Sequence, residues 1–261
     1  MKRFGDSTFQ HLNTLTLQPF NVSTMLSAII VAAGSSRRMG FNKLFAAIAG
    51  KPVMAHTIRA FERAGSVTEI IVVACEDRHD EIRKIAANES FEKVRSIIGG
   101  GEHRQDSVRA GLDHLNVDTE YVAVHDAARP LITPEQIERV FEQCQTHGAA
   151  ALAEPITDTI KRVDVDFVVA GSVDRHQLYA MQTPQIFERD LIEEAYRVIN
   201  VGNVSVTDEV SAVERLGRKV VLVLNEDFNF KITYPRDLAL AEFVLKQRAQ
   251  PLSEIDKAGG D

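Results

Sequence analysis

Residues 26–40 read LSAIIVAAGSSRRMG and contain the transition that decides the fold. The apolar run at its start predicts a buried β-strand. A glycine, two serines and two arginines follow, so the strand is predicted to end in a turn whose backbone can approach an anion closely. The turn matches neither G-x-x-x-x-G-K-[ST] nor G-x-G-x-x-G, the two commonest nucleotide loops. The stretch therefore predicts the first strand of an α/β sheet that ends in an anion-binding loop of another kind.

Downstream of this stretch, apolar runs alternate with helical periodicities. Further strands are predicted at residues 69–75, 94–98, 121–125 and 219–224. Helices are predicted at residues 52–64, 78–87, 104–115, 189–198, 209–216 and 235–247, and a further helix after a capping box at Thr133 and Gln136. This alternation predicts an α/β fold with a Rossmann-like, mostly parallel twisted sheet and helices on both faces. Ligands are then expected beyond the C-terminal ends of the strands.

The alternation is interrupted once, and this defines the expected domain organisation. Residues 25–248 are predicted to form one domain with an inserted, protruding β-arm at about 155–180, where short β-like stretches surround polar turns. Residues 1–24 lack a clear period and are predicted to be a poorly ordered extension. Residues 249–261 are predicted to be a flexible tail.

Composition excludes several classes of partner. The formal net charge of −7 and the pI near 5.7 argue against a nucleic-acid or anionic-membrane surface as the main partner, while a local basic cluster still allows an anionic substrate. No apolar run reaches the roughly 18 residues of a membrane span. The two cysteines form no CxxC pair, so buried thiols in a reducing cytosol are expected, with a cytoplasmic location.

Charged residues fall at the predicted strand ends, where a ligand is expected. Arg38 and Lys43 follow the first strand and are suited to a polyphosphate. Asp126 ends the fourth strand, where a carboxylate suits a ribose hydroxyl or a hydrated Mg²⁺ held by phosphates. His125 alternates to the other face of that strand and is expected to be a packed histidine rather than a base.

Four stretches together resemble the 2-C-methyl-D-erythritol 4-phosphate cytidylyltransferase family of the non-mevalonate isoprenoid pathway. They are AAGSSRRMG at 32–40 with Lys43, GGEHRQDSV at 100–108, VHDAARP at 124–130 and TPQ at 183–185. The resemblance covers roughly residues 26–247. It implies a nucleotidyltransferase fold and transfer of CMP from CTP to a small polyol phosphate, 2-C-methyl-D-erythritol 4-phosphate. It also implies Mg²⁺ as the cofactor and a homodimer formed through the β-arm.

The resemblance also implies roles for individual residues. Arg38, Lys43 and Lys231 are expected to be the catalytic cations. CTP is expected to contact Ala32, Ala33, Gly34, Gly101, Glu102, Ser107, Asp126 and Ala127. The acceptor is expected to contact Arg129, Thr159, Arg175, Thr183, Thr207 and Asp227. Three departures stand out: Glu102 replaces the family's usual Asp, Asp227 lacks the usual glycine-rich lead-in, and only four residues separate Arg38 from Lys43.

Three alternatives share parts of this pattern. A ribitol-phosphate or other polyol-phosphate cytidylyltransferase would share the CTP site and differ at the arm and around Thr183 and Thr207. A non-catalytic nucleotide-binding protein is disfavoured because the cations and Asp126 are all retained. A metal-dependent glycosyltransferase is disfavoured because residues 125–127 offer one acid instead of an Asp-x-Asp pair.

Overall fold

The computed structural model describes residues 25–34 and 39–250. The predicted extension at 1–24, Arg38, and residues 251–261 of the predicted tail lie outside the described residues. The strands are β1 Leu26–Val31, β2 Ala47–Ile48, β3 Lys51–Pro52, β4 Val67–Ala74, β5 Val94–Gly99, β6 Tyr121–Asp126, β7 Ala149–Pro155, β8 Ile160–Val163, β9 Val169–Val173, β10 Tyr179–Glu188 and β11 Val221–Leu224. The helices are α1 Val53–Arg63, α2 His79–Asn88, α3 Arg104–Leu112, α4 Pro134–His147, α5 Arg189–Val201, α6 Glu209–Glu214 and α7 Pro235–Ala249.

Seven strands form the central sheet in the order β11-β7-β10-β6-β1-β4-β5. β1 pairs in parallel with both β4 and β6, and β4 with β5 and β11 with β7 are also parallel pairs. β10 lies antiparallel between β6 and β7. The predicted α/β fold with a mostly parallel sheet is therefore confirmed, with one reversed strand that the alternation does not reveal.

The helices cover both faces of this sheet, as predicted. Along β1, Ala28 and Ile30 belong to one apolar cluster together with residues of α1, α2, α4 and α7. Ile29 belongs to a second cluster together with residues of α3, α5 and α6. Successive side chains of a strand point to opposite faces, so a strand that is apolar throughout supplies both clusters. Burying each such isoleucine stabilises the fold by about 1.5–3 kcal/mol.

Helix α4 begins where its sequence predicts. The Thr133 hydroxyl accepts a hydrogen bond from Gln136 N at 3.3 Å, and the Gln136 side chain accepts one from Thr133 N at 2.9 Å. This capping box satisfies two backbone donors at the start of the helix. Within the described residues, no helix is both long and apolar enough to cross a bilayer.

A β-hairpin made of β8 and β9 lies outside the central sheet. Its two strands pair antiparallel with each other and form a separate sheet. Apolar side chains of this hairpin face solvent, with Val165 92% and Phe167 86% exposed. The hairpin therefore carries an apolar surface that the core formed by the described residues does not cover.

Candidate active site

A cavity of about 500 Å³ lies at the C-terminal edge of the central sheet. β6, β1, β4 and β5 are parallel neighbours there, so the segments that follow them converge. This is the edge at which open α/β sheets bind ligands. Of the residues singled out from the sequence, Ala32, Ala33, Gly34, Lys43, Gly101, Glu102, Asp126 and Lys231 line the cavity.

The loop after β1 is held by side chains from the segment that follows β4. The guanidinium of Arg78 donates to Ala32 O at 3.2 Å and to Gly34 O at 3.0 Å. The thiol of Cys75 donates to Ala33 O at 3.3 Å. Three successive carbonyl oxygens thus have partners behind the loop, which fixes the backbone that lines the cavity.

The turn after β5 forms the opposite wall and requires glycine at two positions. A Cβ on Gly100 would lie 2.6 Å from Ala33 Cβ, and one on Gly101 would lie 2.2 Å from Asp106 Cβ. Both distances are shorter than real carbon contacts, so this wall is built from peptide groups. Ser107 is buried beneath the turn, where its hydroxyl donates to His103 O at 3.3 Å, while Glu102 is exposed.

Asp126 is the buried carboxylate at the end of β6, and three cations surround it. Arg104 Nε lies 3.2 Å from Oδ1, while Lys231 Nζ and Arg129 Nε lie 2.8 Å and 3.7 Å from Oδ2. Burial by itself would raise the pKa of Asp126, but the three cations outweigh it and hold that pKa well below its usual range. Asp126 is therefore ionised at neutral pH, as a contact for a ribose hydroxyl or a metal ion requires.

Arg104 joins Asp126 to a second buried carboxylate. Its Nη1 lies 2.6 Å from Oε1 of Glu209, which has no exposed surface and also accepts from the Tyr196 hydroxyl at 3.0 Å. Burial would lower the pKa of Arg104, but Glu209 and Asp126 together raise it above its usual value. This guanidinium thus remains a permanent cation on the cavity wall.

Two lysines complete the charged wall. Lys43 Nζ donates to Ile232 O, and Ile232 N donates to Ala128 O at 2.8 Å, so the segment with Lys43 is tied to the segment with Lys231. Lys43, Arg104 and Lys231 line the cavity with two carboxylates, Asp126 and the exposed Glu102. The described wall carries a positive excess, which suits a polyanion.

Several of the predicted residues lie behind this wall. The Thr183 hydroxyl is buried, accepts from Asp126 N at 3.1 Å and lies 3.1 Å from Nδ1 of His125. Arg129 donates to Asn229 O at 2.8 Å, and Ala127 is fully buried. In this arrangement Thr183 and Arg129 hold the end of β6 in place.

His125 is a packed residue, as predicted. Its ring is fully buried, with its centroid 4.9 Å from that of Phe61. Burial lowers the pKa of His125 to about 3, so the ring is neutral at physiological pH. It bonds to Thr183 and to Arg129 O and does not line the cavity.

The remaining predicted acceptor residues do not line the cavity. Thr159 and Arg175 flank the hairpin and are exposed, and the Arg175 guanidinium donates to the carbonyl oxygen of Thr157. Thr207 is exposed just before α6. Asp227 is exposed and pairs with Arg248 at 2.6 Å. The roles of these four residues stay predictions.

Sequence reasoning missed the roles of Arg104 and Glu209. Arg104 lies within the GGEHRQDSV stretch and Glu209 lies two residues after Thr207, but the two are 105 residues apart in sequence. Gln185 was also missed: its Oε1 accepts from Glu209 N and Val210 N, at 3.1 Å each. The usable signal was the presence of charged and amide side chains inside the GGEHRQDSV and TPQ stretches.

Comparisons with known proteins identify the family of this chain. A family model described as 2-C-methyl-D-erythritol 4-phosphate cytidylyltransferase matches residues 26–247. The protein of that name from Dehalococcoides mccartyi (strain CBDB1) is 40% identical over 223 residues, 85% of this chain and 96% of the relative. The one from Pelotomaculum thermopropionicum is 40% identical over 238 residues, 90% of this chain and 99% of the relative.

Solved structures show the same likeness. The crystal structure of 4-diphosphocytidyl-2C-methyl-D-erythritol synthase from Anaerococcus prevotii DSM 20548 has a TM-score of 0.75 to this chain at 31% identity. The match covers 86% of this chain and 97% of that one. Since the family model spans the sheet and every segment around the cavity, the chain belongs to the 2-C-methyl-D-erythritol 4-phosphate cytidylyltransferase family.

Proposed function

We propose that this chain transfers CMP from CTP to 2-C-methyl-D-erythritol 4-phosphate, giving 4-diphosphocytidyl-2-C-methyl-D-erythritol and pyrophosphate. The observation that carries this proposal is the cavity wall that presents Lys43, Arg104 and Lys231, of which Arg104 and Lys231 pair with Asp126. Family membership and relatives of that name over most of the chain support the same activity. They favour it over the ribitol-phosphate alternative.

The chemistry asks for charge neutralisation and alignment. An oxygen of the acceptor phosphate attacks the α-phosphorus of CTP, and the bond to the bridging α–β oxygen breaks, so that pyrophosphate leaves with the bonding electrons. The attacking phosphate is already ionised, so no general base is needed. Preorganised cations stabilise the charge on the reacting phosphate groups. Lys43 and Lys231 are proposed to do this together with Arg38.

CTP is proposed to lie between the two loop walls. The backbone of Ala32, Ala33 and Gly34 would face the phosphates, and the peptide groups of Gly101 and Glu102 would face the cytosine ring. Ser107 and Ala127 are buried beneath these walls, so they would support the backbone that contacts CTP. Asp126 would contact the ribose or the metal ion.

Magnesium is proposed as the cofactor, and the donor set fits it. Within the described residues, no group of three His, Cys, Asp or Glu side chains gathers around a point. Mg²⁺ is commonly held by one or two carboxylates together with substrate phosphates and water. Asp126 would supply the carboxylate and CTP the other oxygens. When bound, the ion would neutralise triphosphate charge.

The hairpin is proposed to form a homodimer and to bring acceptor contacts to a partner's cavity. Its exposed apolar residues favour association, since a hairpin that packs on no core leaves its apolar area in water. Thr159 and Arg175 would reach the acceptor in this way, and Thr207 and Asp227 would do so from the same chain. Arg129 and Thr183 would contribute to acceptor binding indirectly, because they hold Asp126 in position. A cytoplasmic location stays a prediction.

An acceptor panel tests the activity. Purified protein with CTP and Mg²⁺ is given 2-C-methyl-D-erythritol 4-phosphate or ribitol 5-phosphate, and pyrophosphate release is followed. We expect turnover with the first acceptor and with CTP in preference to ATP, UTP and GTP. A strong preference for ribitol 5-phosphate would contradict the proposed acceptor, and no turnover with either would contradict the activity.

A further inference from the structure

Gln105, the second residue of α3, contacts the segment that precedes α6. Its Oε1 accepts a hydrogen bond from Val206 N at 2.9 Å, and its Nε2 donates to Val204 O at 3.4 Å. This one amide side chain thus accepts a hydrogen bond from one backbone group of residues 204–206 and donates a hydrogen bond to another. The cavity is lined by Gly101, Glu102, His103 and Arg104, but not by Gln105.

The same segment is attached a second time, at its far end. Arg104 pairs with Glu209 at 2.6 Å, and the backbone nitrogen of Glu209 donates to Gln185 at 3.1 Å. Thr207 therefore lies in a short exposed stretch between two anchored points, Val206 and Glu209. The two α3 residues that hold this segment, Arg104 and Gln105, are consecutive in sequence. A shift at the start of α3 should therefore move residues 204–209 with it.

We propose that Gln105 is a positioning residue that holds Thr207 for the acceptor phosphate and couples acceptor binding to occupancy of the CTP site. This inference rests on the proposed function, because Thr207 matters only if it contacts the acceptor. CTP would lie against residues 101–104, and this contact would add to the order that the capping box and the Arg104 ion pairs already give the start of α3. Through its two backbone bonds, Gln105 carries that order to the acceptor side.

The test replaces the amide by an apolar group of similar size. Gln105→Leu removes both backbone bonds and is expected to raise the KM for the polyol phosphate about three- to tenfold, the effect of one or two net hydrogen bonds. The kcat should stay within about twofold, because Gln105 does not line the cavity. The Kd for CTP, measured by calorimetry without acceptor, should also be unchanged.

A direct readout of the backbone accompanies the kinetics. The Val206 amide donates to Gln105, so its exchange with deuterated water should become faster in Gln105→Leu and should no longer slow when CTP is added. Arg109→Ala is the matched control, since Arg109 lies on the same helix with only an exposed pairing to Asp113. It should leave the KM and the exchange at Val206 at wild-type values.

The outcomes separate this inference from the proposed function. Wild-type protein that releases no pyrophosphate would overturn both. Active wild-type protein whose acceptor KM is unchanged in Gln105→Leu would overturn the positioning role alone. An equal loss of CTP affinity without acceptor would also overturn it, because it would mean that Gln105 only supports the nucleotide side.

Discussion

The cavity and the hairpin are built in opposite ways. At the cavity, charged side chains are part-buried and share partners, with Asp126 contacted by three cations and Arg104 by two carboxylates. At the hairpin, the large side chains are apolar and face solvent, with Phe167 the largest of them. Each region thus reverses the usual distribution of polar and apolar residues between interior and surface.

The difference separates a region whose charges pair within one chain from a region that we propose is covered by a second molecule. The charges around Asp126 pair with one another within the described chain and leave a positive excess, so this wall is preorganised before any ligand arrives. The apolar hairpin gains stability only when another surface covers it. Substitutions at the cavity should therefore change the turnover or the stability of a single chain. Substitutions at the hairpin should instead change dimer formation or acceptor binding across the dimer.

The largest effect is expected from a cavity lysine. Lys43→Ala should lower kcat about a hundredfold or more, because a preorganised cation near the reacting phosphates is lost. Steady-state pyrophosphate release measures this. Lys219→Ala, which removes an exposed lysine before β11, is the control and should keep wild-type turnover. Near-normal turnover of Lys43→Ala would contradict the phosphate assignment.

The next effect is on stability. Asp126→Asn should lower the free energy of unfolding by about 3 kcal/mol at pH 7, because Arg104, Arg129 and Lys231 lose their shared anion. Chemical denaturation of wild type and variant measures the difference, with Asp118→Asn on the surface as the control.

The pH dependence of that difference follows from the lowered pKa of Asp126. A carboxyl whose native pKa lies below its unfolded value stabilises the fold fully above the unfolded pKa of about 3.9, and this contribution is lost as the pH falls further. The gap between wild type and Asp126→Asn should be constant from about pH 5 to 8 and should shrink below about pH 4. A gap that already shrinks near pH 6 would contradict the assigned direction.

A smaller effect is expected at the base of the hairpin. Arg175→Ala should raise the acceptor KM about tenfold, the scale of a charged hydrogen bond, while CTP affinity stays unchanged. If the hairpin acts on the partner's cavity, mixing Arg175→Ala with Lys43→Ala should restore activity, because one of the two sites in each mixed dimer is intact. Absence of rescue after subunit exchange would contradict action between subunits.

The smallest effect on the single chain is expected at the hairpin tip. Phe167→Ser should change the free energy of unfolding of the chain by less than about 0.5 kcal/mol, since its ring is exposed. Sedimentation should nevertheless show dimer converted to monomer. Phe243→Ser, a similarly exposed aromatic change on α7, should not alter the sedimentation. A dimer that survives Phe167→Ser would contradict the proposed interface.

Apolar periodicity was sufficient for most of the sheet but not for β10. β1, β4, β5 and β6 are rich in apolar residues and lie at nearly the predicted positions. β10 contains Pro184 among Gln182, Thr183 and Gln185, a pattern typical of a turn. These polar side chains are buried because distant partners satisfy them: Gln182 Oε1, for example, accepts from Asn225 and Asn229 at 3.0 Å. Nothing local in the sequence reveals such bonds.

The site shows the same division between local and long-range information. The residues at the strand ends were singled out because they follow predicted strands, where a ligand is expected, and because they lie in the stretches that resemble the family. Arg104 and Glu209 were missed because the function of each depends on the other, across more than a hundred residues. The acceptor residues around the hairpin await the tests above.

The paired glycines 100 and 101 limit how this protein can evolve. Because a Cβ at either position would collide with Ala33 or Asp106, no single side-chain exchange can add a new contact there. A base recognised by peptide groups, as proposed here for cytosine, is protected from drift in the side chains around it. To accept another nucleotide, the turn would have to change in length or path. Nucleotide choice should therefore resist point mutation and respond to loop replacement, whereas acceptor choice remains open to single substitutions.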